Sequence, residues 1–119
     1  MKDFRSLAVW GKSHRLTLAV YQKTRPFPRE ELFGLTSQMR RACSSIPANI
    51  AEGCGKSSDQ DFARFLQIAF SSANELEYHF ILARDLRYFG ENDYRGLSTD
   101  LIEVKKMLAG LLSKIRADR

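Results

Sequence analysis

Residues 35–58 read LTSQMRRACSSIPANIAEGCGKSS, and the reading of this stretch decides the fold. Leu35, Met39, Ala42, Ile46 and Ile50 recur at four- and three-residue steps, the period that lines one face of a helix. Ser44, Ser45, Ala48 and Ala51 surround that stripe with small side chains, so neighbouring backbones can approach on more than one side. Pro47 falls inside the pattern, where it removes a backbone donor and crowds the preceding turn, which predicts a kink. Gly53 and Gly55 predict the end of the helix, because glycine takes the left-handed conformation that closes many helices.

Upstream, Val9 to Thr24 read as a first helix. Val9, Trp10, Leu16, Val20 and Tyr21 share a broad arc with Ser13 and Thr17, which commits Trp10 and Tyr21 to the core. Lys12, Arg15 and Lys23 fall within roughly 80° of one another on the other side. Pro26-Phe27-Pro28 ends this helix, since a residue before proline is pushed out of the helical region. Glu30 and Glu31 suit the positive first turn of the next helix, with Gly34 marking a break.

Downstream, Ser57 or Ser58 caps a third helix, with Gln60 or Asp61 three residues on, and that helix reaches about Tyr88. Phe62, Phe65, Leu66, Ala69, Ala73, Leu76, Phe80 and Ala83 make one continuous stripe. Ile68, Leu82, Leu86 and Phe89 form a second, and Phe70, Ile81 and Tyr88 point elsewhere again. One bundle core cannot absorb apolar groups on so many sides, so the surplus predicts a subunit interface. Gly90-Glu91-Asn92 makes the next turn, with Asn92 as the cap. Leu97, Leu101, Val104, Leu108, Leu111 and Ile115 then give a last helix the seam of an antiparallel bundle. The expectation is an all-α protein: one domain over residues 1–119, folded as an antiparallel up-and-down four-helix bundle.

A chain of 119 residues, 44% hydrophobic and 28% charged, is a globular composition that buries roughly two-thirds of its unfolded surface. No apolar run approaches the roughly 18 residues needed to span a bilayer, and charges interrupt the N-terminus too often for a signal peptide. A cytoplasmic protein with no membrane contact is expected. Cys43 and Cys54 would lie about 16 Å apart along one helix, too far for a disulfide, and read as buried small residues rather than reactive thiols. The net charge of +5 is uneven: residues 1–56 carry +6 and residues 57–119 carry −1. A basic half suggests an acidic partner such as nucleic acid, although a solvated basic face explains it equally simply.

Catalytic chemistry finds little support. GCGKSS at residues 53–58 looks like the tail of a phosphate-binding loop, but Ile50 stands where the motif needs its first glycine and the upstream segment is helical. Lys56, near a helix N-terminus, could still hold a phosphate group. A di-metal carboxylate site needs a Glu-x-x-His pair on each of two helices. Glu75 and His79 are four apart, occur once and lie off the main apolar stripe, so neither a metal nor another cofactor is expected. Asn49 lies close to the stripe of the central helix and Glu52 further round, beside Gln38, Arg41 and Ser45. Their expected role is structural: a buried amide and an Arg–Glu pair that fix packing register.

The central stretch also resembles a known family. Gln38-Met39-Arg40-Arg41-Ala42 and Ser45-Ile46-Pro47-Ala48-Asn49-Ile50-Ala51-Glu52-Gly53 look like the hallmark of bacterial four-helix bundle proteins related to those encoded in intervening sequences of large-subunit ribosomal RNA genes. Leu7-x-Val9-Trp10-x-Lys12, Val20-Tyr21, Phe27-Pro28, Gly34-Leu35, Phe65-Leu66-x-Ile68-Ala69 and Glu75-Leu76-Glu77 match in order, so the likeness covers roughly residues 4–89. Gly11, Ser13, Cys43 and Ser71 depart from the family's habits without disturbing the fold. The resemblance implies a homo-oligomeric ring, often a pentamer. A more distant similarity, to accessory proteins of diversity-generating retroelements, implies contact with a reverse transcriptase and nucleic acid. No catalytic residues come with either likeness. The functional expectation is a non-enzymatic homo-oligomer that binds RNA or another nucleic acid through Lys12, Arg15, Lys23, Arg40 and Arg41; its rival is a protein-interaction scaffold with no nucleic-acid ligand.

Overall fold

The computed structural model describes residues 2–118. The chain forms four helices, α1 (Ala8–Lys23), α2 (Leu35–Cys54), α3 (Asp59–Asp85) and α4 (Glu91–Ala117), with one short 3-10 turn before α1 at Phe4–Ser6 and another between α1 and α2 at Arg29–Glu31. Each helix packs on the next and α4 closes back on α1, so short connections between sequential neighbours give the antiparallel up-and-down bundle. Its long axis of 46 Å matches the roughly 40 Å of a 27-residue helix. The apolar stripes of the four helices meet in one core around Val20, Met39, Ile46, Ile50, Leu66, Leu76, Leu101 and Leu108.

Local details differ from expectation in instructive ways. α2 ends at Cys54 with Gly55 as its C-cap, where the glycines predict, but neither Gly53 nor Gly55 has positive φ. Gly53 is buried within the last turn, and a Cβ there would meet Phe65 Cβ at 2.9 Å and Phe62 Cδ1 at 3.0 Å. The missing side chain is what lets α2 and α3 close. The left-handed residue falls instead at Arg87, φ 63°, after α3. There Tyr88 N–H donates to Ala83 O and Arg87 N–H to Arg84 O, each at 2.9 Å, the paired closure of a Schellman turn.

Ser58 caps α3 by accepting from Asp61 N–H at 3.1 Å. Gly90, not Asn92, caps α4, and Asn92 lies inside the first turn. Along α4 Leu112 is buried where Leu111 was expected, because the helix keeps its own pitch rather than a strict seven-residue repeat. His79 is buried at 5% exposure, not off the packed surface; its Nε2 lies 3.5 Å from Glu75 Oε2 and its Nδ1 has no partner. Tyr21, expected in the core, is 42% exposed. α2 runs unbroken through Pro47, which is itself buried. Both cysteines are free thiols in the core, and burial pushes Cys43 up to about 12, so it has no thiolate to react with at neutral pH.

The connection between α1 and α2 is tied to the far side of the bundle. Phe27 is buried against Tyr88 and Phe89, ring centroids 5.3 and 5.0 Å away. Glu31 Oε2 accepts from Tyr88 O–H at 2.9 Å, while Oε1 accepts from Leu35 N–H at 3.2 Å and so caps α2. That carboxylate lies where a Cβ at position 34 would sit, 2.9 Å away, which explains Gly34.

Candidate nucleic-acid interface

The five basic residues singled out in the sequence meet different fates. Lys12 Nζ lies 2.6 Å from Glu103 Oε2 and 3.7 Å from Asp100 Oδ1, both on α4. The hydrogen bond to Glu103 holds the Lys12 ammonium above its ordinary value and Glu103 below the usual carboxylate range. Lys23 Nζ pairs with Asp93 at 3.1 Å. These two lysines therefore stitch α1 to α4, and their charge is already answered by carboxylates. Arg15 is exposed and, among the described residues, in no ion pair. The first helix thus presents one uncompensated cation and not three.

Arg41 is exposed and lines an open groove of about 530 Å³ between α2 and α3, with Gln38, Ser45, Ser72 and Glu75. Ser45 and Ser72 share a 2.6 Å hydroxyl hydrogen bond across the two helices. Asn49 is half-buried, and its Nδ2 donates to Ser45 O at 2.7 Å and Ser45 Oγ at 3.1 Å, so its amide is spent on its own helix and on that serine pair. Glu52 is exposed and makes no ion pair with Arg41 among the described residues. The Arg–Glu register pair drawn from the sequence is absent within the subunit.

Arg40 is held by neutral groups. Its Nε donates to Thr24 Oγ1 at 2.9 Å, its Nη2 donates to Tyr21 O at 3.3 Å, and its guanidinium lies over the Tyr21 ring, 4.8 Å from the centroid. Thr24 is itself buried and donates its hydroxyl proton to Val20 O at 2.7 Å. All of these partners are neutral. Arg40 is oriented without being neutralised, at the rim of a hollow of about 220 Å³ that Arg25, Arg29, Leu32 and Thr36 also line. Reading helix faces missed Arg25 and Arg29 because they flank Pro26-Phe27-Pro28, outside any periodic segment. Their signal was two arginines bracketing a proline turn, although Glu30 follows Arg29 directly.

By contrast, Arg64, Arg84, Arg95 and Lys105 on α3 and α4 all pair with carboxylates. At the remaining glycine-rich turn Lys56 lies over the Phe65 ring, 5.1 Å from its centroid. No cluster of three or more metal-ligating side chains occurs among the described residues, and no helix there is long and apolar enough to cross a membrane.

Fold and surface together define a four-helix bundle whose uncompensated arginines gather on the α1–α2 half. The chain belongs to the 23S rRNA-intervening sequence protein family, whose pattern matches residues 5–110 and so extends into α4, beyond the motifs that carry the resemblance. It is also similar to a crystal structure from Bacteroides thetaiotaomicron, described as a protein with unknown function from the S23 ribosomal protein family. The two share 29% identity over 88% of this chain and 95% of that one, with a TM-score of 0.80. No curated protein matches the chain.

Proposed function

We propose that the protein is a non-enzymatic, cytoplasmic, homo-oligomeric bundle that binds RNA through the arginines of its α1–α2 half. The observation that carries this reading is the segregation of answered and unanswered charge. Arg15, Arg25, Arg29, Arg40 and Arg41 make no ion pair among the described residues, whereas Arg64, Arg84, Arg95 and Lys105, four of the seven Lys and Arg side chains of α3 and α4, do. Counterion release on contact with phosphates makes such a surface adhesive to nucleic acid. The family's name, which refers to an intervening sequence of 23S ribosomal RNA, supports the same class of partner. Lys12 and Lys23 are not part of the interface in this reading, because contact with phosphate would cost them their α4 carboxylates.

Assembly is supported by apolar side chains left outside the core: Leu18, Ile68, Tyr78, Leu86 and Ile102 are all exposed. Five subunits is the count favoured by the family resemblance, and a ring would repeat each weak phosphate contact. The test is an anisotropy titration of the assembled protein with structured RNA at low and moderate salt. Affinity should fall steeply with salt, and Arg15→Glu with Arg41→Glu should weaken it while the helical signal and the oligomer mass stay unchanged. No affinity at low salt would leave the exposed apolar residues as the basis of a protein-interaction scaffold.

A further inference from the structure

The hollow beside Arg40 has features that simple basic adhesion does not need. Three arginines line it, and none is ion-paired among the described residues. Arg40 is pre-oriented by Thr24, Tyr21 O and the Tyr21 ring, which leaves its Nη1 donors without a protein partner among the described residues. Thr36 also lines the hollow, 97% buried by its 3% exposure, with a hydroxyl that has no hydrogen-bond partner. The nearby carboxylate of Glu31 is occupied by Tyr88 O–H and Leu35 N–H, and Glu30 is exposed and pairs with none of the three. Thr36 belongs to the first turn of α2, whose positive end adds to the arginine charge. At about 220 Å³ the hollow is smaller than the roughly 300 Å³ at which whole small-molecule sites begin, and it suits one group of a larger ligand.

Leu32, which lines the hollow, is 47% exposed, and the next residue in the turn, Phe33, is 92% exposed. An aromatic ring so fully in water does nothing for the subunit's own core, but it offers a stacking platform.

We infer that this end of the bundle is a subsite for single-stranded nucleic acid: one backbone phosphate seated among Arg25, Arg29 and Arg40, with a neighbouring base stacked on Phe33. The inference rests on the RNA-binding reading and narrows it to one place and one form of nucleic acid. Only an unpaired base can present its face to Phe33, since in a duplex that face is taken by the next base pair. A guanidinium trio supplies planar, multidentate donors to phosphate that lysines would not.

The test uses the full-length oligomer with two probes, a fluorescein-labelled single-stranded oligouridylate and a blunt RNA duplex, each titrated by anisotropy across a salt series. Phe33→Ala should weaken oligouridylate binding by about fivefold or more, the lower range of base–aromatic stacking, and leave duplex binding unchanged. Arg25→Glu with Arg29→Glu should weaken both probes about tenfold or more and make the salt dependence shallower. The pair Arg15→Glu with Arg41→Glu serves as the comparison, carrying the same charge change away from the hollow. If the wild type binds and only that comparison pair matters, the subsite is overturned while the RNA reading stands. If the wild type binds neither probe at low salt, both fall together. If Phe33→Ala leaves oligouridylate binding intact but dissolves the oligomer, Phe33 is a contact between copies and the stacking assignment is overturned.

Discussion

The two ends of α2 are both marked by a glycine and are finished in opposite ways. At the C-terminal end Gly53 presses against Phe62 and Phe65, Lys2 N–H donates to Cys54 O at 3.0 Å, and the hollow between them is only about 30 Å³, against about 220 Å³ at the other end. At the N-terminal end Gly34 makes room for a carboxylate that caps the helix, while Arg25, Arg29, Arg40 and Phe33 are left facing solvent. One glycine serves packing and the other clears space beside an unfilled hollow. A packed end tolerates no addition; an open end tolerates removal. Substitutions at the two ends should therefore differ in what they damage.

The largest effect is expected at the packed end. Gly53→Val adds three carbons where even the first would sit 2.9 Å from Phe65 Cβ, so α2 and α3 must part. Overpacking of this kind costs about 1–3 kcal/mol, and the upper part of that range applies because the clash is with Phe65 Cβ, which cannot move without its backbone, and with the buried Phe62 ring. Urea denaturation followed by circular dichroism measures it. A variant as stable as the wild type would mean that the two helices are not held at this distance.

At the open end, Glu31→Ala should cost about 1–2 kcal/mol. It removes the cap on Leu35 N–H and the acceptor for Tyr88 O–H together. The hydrogen bond to Glu31 raises Tyr88 above its ordinary value, so spectrophotometric titration of the tyrosines should show one group moving down in the variant. Glu31→Gln keeps a neutral acceptor and should recover part of the stability. Equal stability in all three proteins would show that this end is not anchored through Glu31.

The bundle itself was legible from the spacing of apolar residues, because a helix reports its buried face at three- and four-residue steps whatever it packs against. The errors have one physical source: a projection of one helix does not include its neighbours. Lys12 and Lys23 looked like a free basic face because their carboxylates, Asp93, Asp100 and Glu103, lie some 70–90 positions away. The helix does end beside Gly53, but Gly53 looked like a left-handed closing residue because the phenylalanines that need its missing side chain belong to α3. Tyr21 looked buried because its place in the arc says nothing of Arg40 crossing over its outer face. Arg25 and Arg29 escaped notice because a non-periodic turn carries no face to read. Arg40 and Arg41, adjacent in sequence, were grouped together, yet one lines the hollow near Tyr21 and the other the groove toward α3.

Between the two ends, the α3 residue His79 should make stability acid-sensitive. Burial holds its imidazole below the ordinary value of 6.5, with Glu75 opposing. The unfolded chain takes up a proton as pH falls through about 6.5, and the folded chain does so only at lower pH. Stability is therefore greatest above that range and declines on acidification toward the folded value. Replacing the ring by leucine should flatten the decline between pH 7 and 5.5 in urea titrations. An unchanged slope would show that His79 is not the source of the decline in this window; Glu103, held below the usual carboxylate range by Lys12, loses its pairing only at lower pH.

The smallest expected effect decides most about the open end. Phe33 is 92% exposed, so truncation to alanine removes almost no buried area, and the subunit's stability should change by less than about 0.5 kcal/mol. Most phenylalanines are kept for what they bury, and their truncation costs about 3–5 kcal/mol in a core. A phenylalanine whose loss costs nothing in the subunit contributes nothing to its fold. Measured below the concentration at which copies associate, a null result shows that the ring is free for an external partner, and the oligouridylate titration then decides whether a base takes it. A loss above about 2 kcal/mol in the isolated subunit would instead place the Leu32-Phe33-Gly34 turn against the bundle, close the hollow beside Arg40, and erase the contrast between the two ends of α2.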